Sequence, residues 1–593
     1  MSLSQSRYLI IVVVSLLLVL AIFNFSKKPV PRILPLETEP QFYSYSAYSF
    51  MNDYEKLFQQ NNAPANQTHG DDQRSDTGNN FESDSVQIES REAATWLRSR
   101  FFDFRLPSQT QKTSAVTKGE EKKSMENVYA LSAGSVYPDE YIVVVSSYSN
   151  PDTSTSGDNK QDKQVAVAVN TELARIFSGE EHNRSIIFLF ADSGREMEGV
   201  KAFIREFGEK EKIKAVLVVE DPSVGPREVL ELYPAGLKSG YAPLWLREAA
   251  VVSSGLYLDV QSYSLFQEWA IRAFNLTNSA AGPFLMEDIP AIPFRLFFRE
   301  PVDLKVIESY GRALEHTIRL IDEAKELPES SPFYLKSGKN FLTSGPVTII
   351  HLLFILPLCY ALYLRYRHRS RMSGFTAMLK REVLRWFKIF IAGTAAYLLL
   401  RLTPIVGMAI PYSDFILTES AFAASGISLI QLILILGAIP AAVFIALTRI
   451  FRNYTLPLSW DWEGAQLFIL MGTAFIYILS LLTGTALWAT SILLPSLYLW
   501  PLIKEGRERW TRYSNLIFIL PGAIFFLVFL SVFAGSIGVS PVCGYLIVAA
   551  LYGLICPFKI LLFTSLIALY IMAVTLAWHS SPPETINEAG LNR

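Results

Sequence analysis

Cysteine is almost missing from this chain: there are three in 593 residues, Cys359, Cys543 and Cys556, all inside apolar stretches of the C-terminal half. No disulfide can therefore staple the polar part of the chain, which needs an ordinary hydrophobic core, and no thiol nucleophile is available there. Histidine is equally sparse, with six in all and none between His182 and His316. His182 sits in a charged stretch (GEEHNR) that reads as a solvated turn, and His316 lies on a helix over 303–325 as a surface or packing residue. Glycine-rich phosphate loops of either standard spacing are absent. Within the apolar runs acids are scarce beyond the loop-edge Asp414 and Glu419, which argues against a proton- or ion-coupled transporter.

Apolar sequence is abundant and unevenly spread. Residues 8–24 (YLIIVVVSLLLVLAIFN) form an uncharged run long enough to cross a bilayer, and no small-x-small cleavage site follows, so a retained anchor is expected over 1–27. Further runs occupy about 346–364, 387–407, 428–449, 465–488, 489–503, 515–538 and 543–578, the last long enough for two short helices turning at 556–559. Eight or nine spans are expected, seven or eight of them in a bundle over 331–579, followed by a tail at 580–593. Pro404, Pro440, Pro495 and Pro521 interrupt these runs, as is tolerated where helices pack together or line a cavity. Small-residue stretches at 423–426 and 483–486 allow close helix approach. Arg401 follows three leucines and precedes Leu402, Thr403 and Pro404, so it must snorkel or meet an anionic group such as a lipid phosphate.

The loops at 365–386 and 504–513 are strongly basic, whereas the short loop 410–420 carries only Asp414 and Glu419, so the basic loops are expected in the cytoplasm. The polar block, about 28–345, then lies on the opposite side. A net charge of −2 hides this asymmetry between basic loops and an acidic exterior, and nucleic acid is excluded as a partner. Sequons at Asn66, Asn183 and Asn275 permit glycosylation in a eukaryotic cell.

Within the polar block, 53–92 and 107–125 are rich in Asn, Asp, Ser, Gln, Lys and Glu and read as loop or partly disordered insertions around a helix at 92–100. The segment 28–125 is accordingly expected to be partly disordered, with regular order from near Val128. Buried strands are expected at 141–145 (YIVVV), 185–190 (SIIFLF) and 215–219 (AVLVV), with helices at 165–177 and 198–207 between them. Apolar strands alternating with helices predict a parallel or mixed sheet covered on both faces, with ligands collecting at the carboxyl ends of its strands.

That order of elements, with Glu172-Leu-Ala-Arg175 closing the first helix and 198–203 (EGVKAF) opening the second, resembles the co-catalytic zinc aminopeptidases. The resemblance implies an α/β zinc-aminopeptidase-like extracytoplasmic domain over 126–330. It also implies a ligand set: a His-x-Asp pair after the first strand, an Asp opening the first helix, a Glu-Glu pair after the second strand, an acid after the third and a late His. The matching positions are largely emptied. Ser147 and Ser149 stand where His-x-Asp would be, Ser193 and Gly194 where Glu-Glu would be, and only Asp162 and Glu220, or its neighbour Asp221, keep a carboxylate. No metal or other cofactor and no catalytic residue is expected, so the domain is expected to be a pseudo-peptidase. A membrane-bound zinc peptidase of the same fold and a channel with an outer sensing domain are the competing readings.

One N-terminal span, a peptidase-like outer domain with lost ligands and a multi-span C-terminal bundle resemble the GPI anchor attachment proteins, noncatalytic subunits of GPI transamidase. Local stretches at 126–131 (ENVYAL), 186–190 (IIFLF), 199–203 (GVKAF) and 331–335 (SPFYL) agree with that family. The resemblance implies a multi-pass protein of the endoplasmic reticulum membrane with a luminal large domain, or of the cell membrane with an external domain in a prokaryote. It implies partner membrane subunits including a cysteine-protease-like catalytic one, a glycolipid anchor and membrane lipid as ligands, with Arg401 the candidate lipid contact.

Overall fold

In a computed structural model of the chain, the residues described are 3–25, 28–29, 39–61, 78–116, 122–148, 164–192, 197–224, 227–236, 240–277, 279–298, 303–328, 333–338, 340–369, 375–403, 405–406, 427–450, 462–483, 524, 527–535, 542–551, 553 and 555–578. Among them eight strands form one mixed sheet in the order β2-β3-β5-β4-β6-β9-β7, with β8 paired to β9. These are β2 (Ser108–Val116), β3 (Lys122–Ser132), β4 (Tyr137–Ser147), β5 (Arg184–Ala191), β6 (Ile213–Val219), β7 (Ser223–Val224), β8 (Val229–Glu231) and β9 (Ala291–Phe298). The two-residue β1 (Lys28–Pro29) belongs to a separate small sheet with β10 (Tyr334–Ser337) and β11 (Asn340–Thr343).

The centre, β5-β4-β6-β9, is parallel, and β3 and β2 add antiparallel strands at one edge. The central strands are continuous runs of Val, Ile, Leu and Phe because both of their faces are covered. Ile142, Val144, Phe188, Phe190, Leu217 and Phe294 face one core with α2 (Ser44–Asn61), α3 (Gly78–Asp103), α4 (Val165–Ser178), α6 (Leu244–Ser254) and α9 (Leu304–Glu323). The alternate residues Val143, Val145, Ile187, Leu189, Val216 and Val218 face a second core with α5 (Glu198–Glu206) and α8 (Ala281–Met286). The connection from β4 to β5 through α4 steps one way along the sheet; that from β5 to β6 through α5 steps back over β4. With right-handed crossovers the two helices must lie on opposite faces, and the crevice for a ligand opens at the carboxyl end of β4.

The reading of 53–92 and 107–125 as loop is corrected. α2 and α3 run through much of the first stretch, and β2 and β3 through most of the second; Phe42, Met51, Tyr54, Trp96 and Phe101 are part of the domain core. The start of this region is fixed by Glu315 on α9, whose buried carboxylate accepts from the backbone N–H of Gln41 at 2.8 Å and Phe42 at 2.7 Å. The aromatic ring of Phe42 lies against Gly311, where any Cβ would sit 2.2 Å from it. His182 is not in solvent either: it is buried, with Nε2 2.7 Å from Ser132 Oγ and Nδ1 2.6 Å from the Arg184 carbonyl. His316 is a packing residue, its Nδ1 3.3 Å from the Tyr257 hydroxyl. Of the sequons, Asn275 is 3 % exposed and closes the helix α7 (Leu265–Phe274) in a left-handed conformation, so the folded chain hides it from modification.

From Ser344 onward the elements among the described residues are helices, as is α1 at the start of the chain. α1 (Leu3–Phe25) contains the expected anchor run, with its apolar part at Arg7–Ile22. Five helical segments among the described residues are long and apolar enough to cross a membrane: Ser344–Arg367, Leu379–Leu402, Ile430–Ile450, Gly464–Leu482 and Pro557–Thr575. They lie in α10 (Ser344–Arg369), α11 (Phe375–Leu402), α12 (Leu429–Ile433) continuing through a π turn into α13 (Ile439–Ile450), α14 (Trp462–Leu482) and α16 (Pro557–Trp578). The π turn, Leu434–Ala438, precedes Pro440, whose missing N–H and ring break the regular ladder there. The run 543–578 divides as expected, into α15 (Val542–Leu551) and α16. The expected span at 489–503, most of that at 515–538, Pro404, Pro495, Pro521 and the stretch 423–426 lie outside the described residues.

The α/β unit rests on the bundle through α7. Phe274 is 4.5 Å from Phe533 ring to ring, Phe266 5.7 Å from Phe529, and Lys559 Nζ donates to the Ala273 carbonyl at 3.2 Å. Tyr233, Tyr263, Ile271 and Phe274 share one continuous core with Ile350 and Phe354 of α10 and with Tyr8 and Val12 of α1.

Candidate functional site

Ser147 ends β4 at the crevice, half-buried and with neither imidazole nor carboxylate to offer. The next residue, Tyr148, is buried across the strand ends. Its N–H donates to the Ala191 carbonyl at the end of β5 at 3.2 Å, its hydroxyl to the Glu126 carbonyl on β3, and its own carbonyl accepts from the Tyr54 hydroxyl at 2.6 Å. Beneath it Asn170 of α4 donates Nδ2–H to Ser146 Oγ at 3.0 Å. Ser149, Asp162, Ser193 and Gly194 lie outside the described residues.

The carboxylates that the structure does bring to the strand ends are each engaged. Asp192, just past β5, accepts from the Glu126 N–H at 3.1 Å, while its own N–H donates to Asn127 Oδ1 at 3.0 Å. Asn127 is fully buried and donates Nδ2–H to the Gly199 carbonyl and to Gln111 Oε1, both at 2.7 Å. Gly199 has to be glycine: a Cβ there would lie 2.5 Å from Asn127 Oδ1 and 2.8 Å from the Asp192 carbonyl oxygen. Past β6, Asp221 Oδ1 accepts the Ala166 N–H at 3.0 Å, satisfying an orphan donor in the first turn of α4. Glu220 accepts from Arg295 Nε on β9 at 2.7 Å, and Arg295 also reaches Glu231 at 3.5 Å. Glu231 in turn accepts from the Tyr263 hydroxyl at 2.7 Å, and burial pushes its carboxyl above the usual range.

Zinc, which the aminopeptidase resemblance implies, does not fit these residues. Zinc needs three or more oxygen, nitrogen or sulfur ligands converging at about 2.0–2.3 Å. Here Glu220 holds a guanidinium and Asp221 a helix terminus, and among the described residues no group of three or more His, Cys, Asp or Glu is placed to hold a metal ion. Glu198, at the opening of α5, serves the helix: it is paired with Lys201 at 2.6 Å.

Arg401, read from sequence as snorkelling or meeting a lipid phosphate, donates Nη1–H to the Leu551 carbonyl at 2.5 Å. It thereby places its charge on the C-terminal end of α15, where the carbonyl dipoles are negative. Gly553, at φ +71°, leaves room for it, since a Cβ there would lie 2.7 Å from Nη1.

Several solved structures are similar to about half of this chain. They include a glutaminyl cyclase of an Acidobacteriales bacterium, 14% identical over 49% of this chain and 99% of that one at a TM-score of 0.33. A zinc aminopeptidase from Bacillus subtilis is 9% identical over 50% and 98% at 0.35. A zinc-dependent exopeptidase from Parabacteroides distasonis is 10% identical over 48% and 99% at 0.30. No family model matches the chain, and no curated protein does. The α/β class of the domain rests on the strand pairing and helix placement described above.

Sequence reasoning found the strand ends and the acid at 220 but missed what engages them. Arg295 lies 75 positions from Glu220 and Asn127 lies 65 from Asp192. Asn127 sits within the family-like stretch 126–131, where a buried amide beside apolar alternation was the available signal.

Proposed function

We propose that this chain is a noncatalytic membrane subunit in which a peptidase-like α/β unit holds a peptide or partner protein and the helical bundle holds lipid. On the family resemblance, the complex is a GPI-transamidase-like one: the chain helps present a glycolipid anchor and a substrate protein to a cysteine-protease-like catalytic subunit. The observation that supports the noncatalytic part is that Asp192, Glu220 and Asp221 are each committed to a protein donor, so among the described residues the crevice lacks an unengaged carboxylate pair to hold and activate water. The shared core between α7 and the bundle supports the coupling of the two halves.

The full chain, purified in mild detergent, is expected to contain no stoichiometric zinc by elemental analysis, to hydrolyse no aminoacyl substrate, and to co-purify with other membrane subunits and lipid. Two zinc ions per chain with chelator-sensitive peptidase activity would overturn the reading. Isolation alone under the same conditions, with lipid content no different from that of an unrelated membrane protein, would remove the transamidase part and leave the noncatalytic part standing.

The topology proposed with it puts the α/β unit opposite the basic loop 365–386. With the three native cysteines replaced by serine, Val136→Cys, on an exposed turn of the α/β unit, should react with an impermeant maleimide applied to the lumen or exterior. Ser373→Cys should react only after the membrane is opened, and the reverse pattern sinks the assignment.

A further inference from the structure

At the end of the bundle remote from the α/β unit, α11, α13 and α16 enclose a half-open groove of about 570 Å³. That volume is within the range of ligand sites, about 300–1,000 Å³. Its two ends differ in chemistry. Arg385, Lys388, Thr448 and Thr575 line one end; Gly393, Pro440, Ala441 and Ile567 line the other. The order of the helices fixes which end is which. α10 leaves the α/β unit at Ser344, so the start of α11 lies at the far end, and Lys559 at the start of α16 touches α7, so Thr575 lies at the far end too.

Lys388 is 3 % exposed, lines the groove and makes no hydrogen bond or ion pair among the described residues. An ammonium so placed is costly in hydrocarbon without an anion, and its side chain leans back along the helix toward Arg385. The buried Glu382 does not serve it. That carboxylate is held by Arg385 at 2.7 Å and Arg381 at 3.3 Å, and the two turns of α11 over 380–388 carry four cations, Lys380, Arg381, Arg385 and Lys388, against this one anion. Arg449, in the last turn of α13, adds a further cation at the same end.

We propose that this groove binds one phospholipid of net negative headgroup charge, with its phosphate on Lys388 and Arg385 and an acyl chain along Gly393 and Pro440. The headgroup then lies in the leaflet opposite the α/β unit, which separates this site from anchor presentation. Gly393 forms the floor: a Cβ there would be in van der Waals range of Thr564 at 3.4 Å, so small residues at this point keep the groove open.

The test uses the full chain in nanodiscs of phosphatidylcholine with or without phosphatidylserine, re-extracted in mild detergent, with bound lipid identified by mass spectrometry. Phosphatidylserine should be retained in preference to phosphatidylcholine and should raise the apparent Tm, whereas inorganic phosphate should not. Lys388→Gln should lower the retained phosphatidylserine roughly fivefold, the effect of one cation beside an anionic headgroup. Gly393→Leu should do the same by filling the floor with every cation intact. Lys380→Gln, which removes a charge from α11 outside the groove, should leave retention unchanged. Equal retention of the two lipids by the unaltered chain would overturn the proposal without reference to any variant. So would an equal rise in Tm with inorganic phosphate, or a loss with Lys380→Gln as large as with Lys388→Gln.

Discussion

Replacing Glu268 by alanine should lower the apparent Tm by roughly 3 to 8 °C, because it strands a buried guanidinium where the α/β unit meets the bundle. Glu268, on α7, is paired with Arg247 of α6, and both side chains are almost wholly buried. Its second oxygen accepts from the Tyr241 hydroxyl at 2.7 Å. Arg272, one turn along α7, stacks 3.9 Å from the centre of the Tyr241 ring and 4.7 Å from that of Phe333. Tyr334, on β10, donates to the Ala242 carbonyl at 2.8 Å, and beside it Lys336 pairs with Glu248. These residues join α6, α7 and β10, the first strand of the hairpin that leads into α10. Breaking one buried pair by removing a single partner costs about 3–5 kcal/mol, whereas replacing both partners by apolar residues of like volume is often neutral. The double variant Arg247→Met with Glu268→Leu should therefore regain most of the lost stability. Melting followed by fluorescence-detected gel filtration in detergent checks both arms. A shift under about 2 °C for Glu268→Ala would mean that solvent reaches the pair.

The sheet was legible where burial leaves no choice of residue. The central stretches of β4 (141–145), β5 (186–191) and β6 (215–219) are uninterrupted apolar runs because helices cover both faces, and such runs are readable without knowing what covers them. β2 was not legible, since an edge strand with the sequence SQTQKTSAV carries its pairing in the backbone rather than in its side chains. α3 was legible only over 92–100, for a related reason: it is 26 residues long, yet its N-terminal part, GNNFESDS, has the composition of a loop. His182 was misread because its sequence neighbours are charged, while its ring turns inward beneath Ser132. At the strand ends, residue type was readable and engagement was not. That β9 brings Arg295 against Glu220, and that α15 ends beside Arg401, could not be read from the residues themselves. Both facts depend on tertiary pairing, which periodicity does not encode.

Asn127 ties β3 to the end of β5 and the opening of α5, and Asn127→Asp is expected to damage the domain more than Asn127→Ala does. Its orientation is fixed by its neighbours. The Asp192 N–H requires an oxygen, and the Gly199 carbonyl and Gln111 Oε1 require donors, so the amide fits with Oδ1 toward Asp192 and Nδ2 toward the other two. Alanine leaves the Asp192 N–H without the side-chain oxygen it bonds here, at about 1–3 kcal/mol for a buried group, while the Gly199 carbonyl keeps its place in the α5 ladder. Aspartate is nearly the same shape, yet when ionised it cannot donate, so two acceptors face a buried charge. Its cost should exceed that of alanine, roughly 3 kcal/mol or more at pH 7. Burial beside two acceptors raises the carboxyl pKa of such an aspartate in the folded state, so the variant binds a proton more readily folded than unfolded. Its stability is then greatest below the unfolded pKa and is lost as pH rises through the folded one. The deficit of Asn127→Asp relative to the unaltered chain should narrow as pH falls toward 5, while that of Asn127→Ala should not. Melting curves of the full chain at several pH values decide the matter. An Asn127→Asp chain as stable as the unaltered one at pH 7 would show that the crevice accepts a carboxylate where this protein has an amide, and the closed strand end would lose its main support.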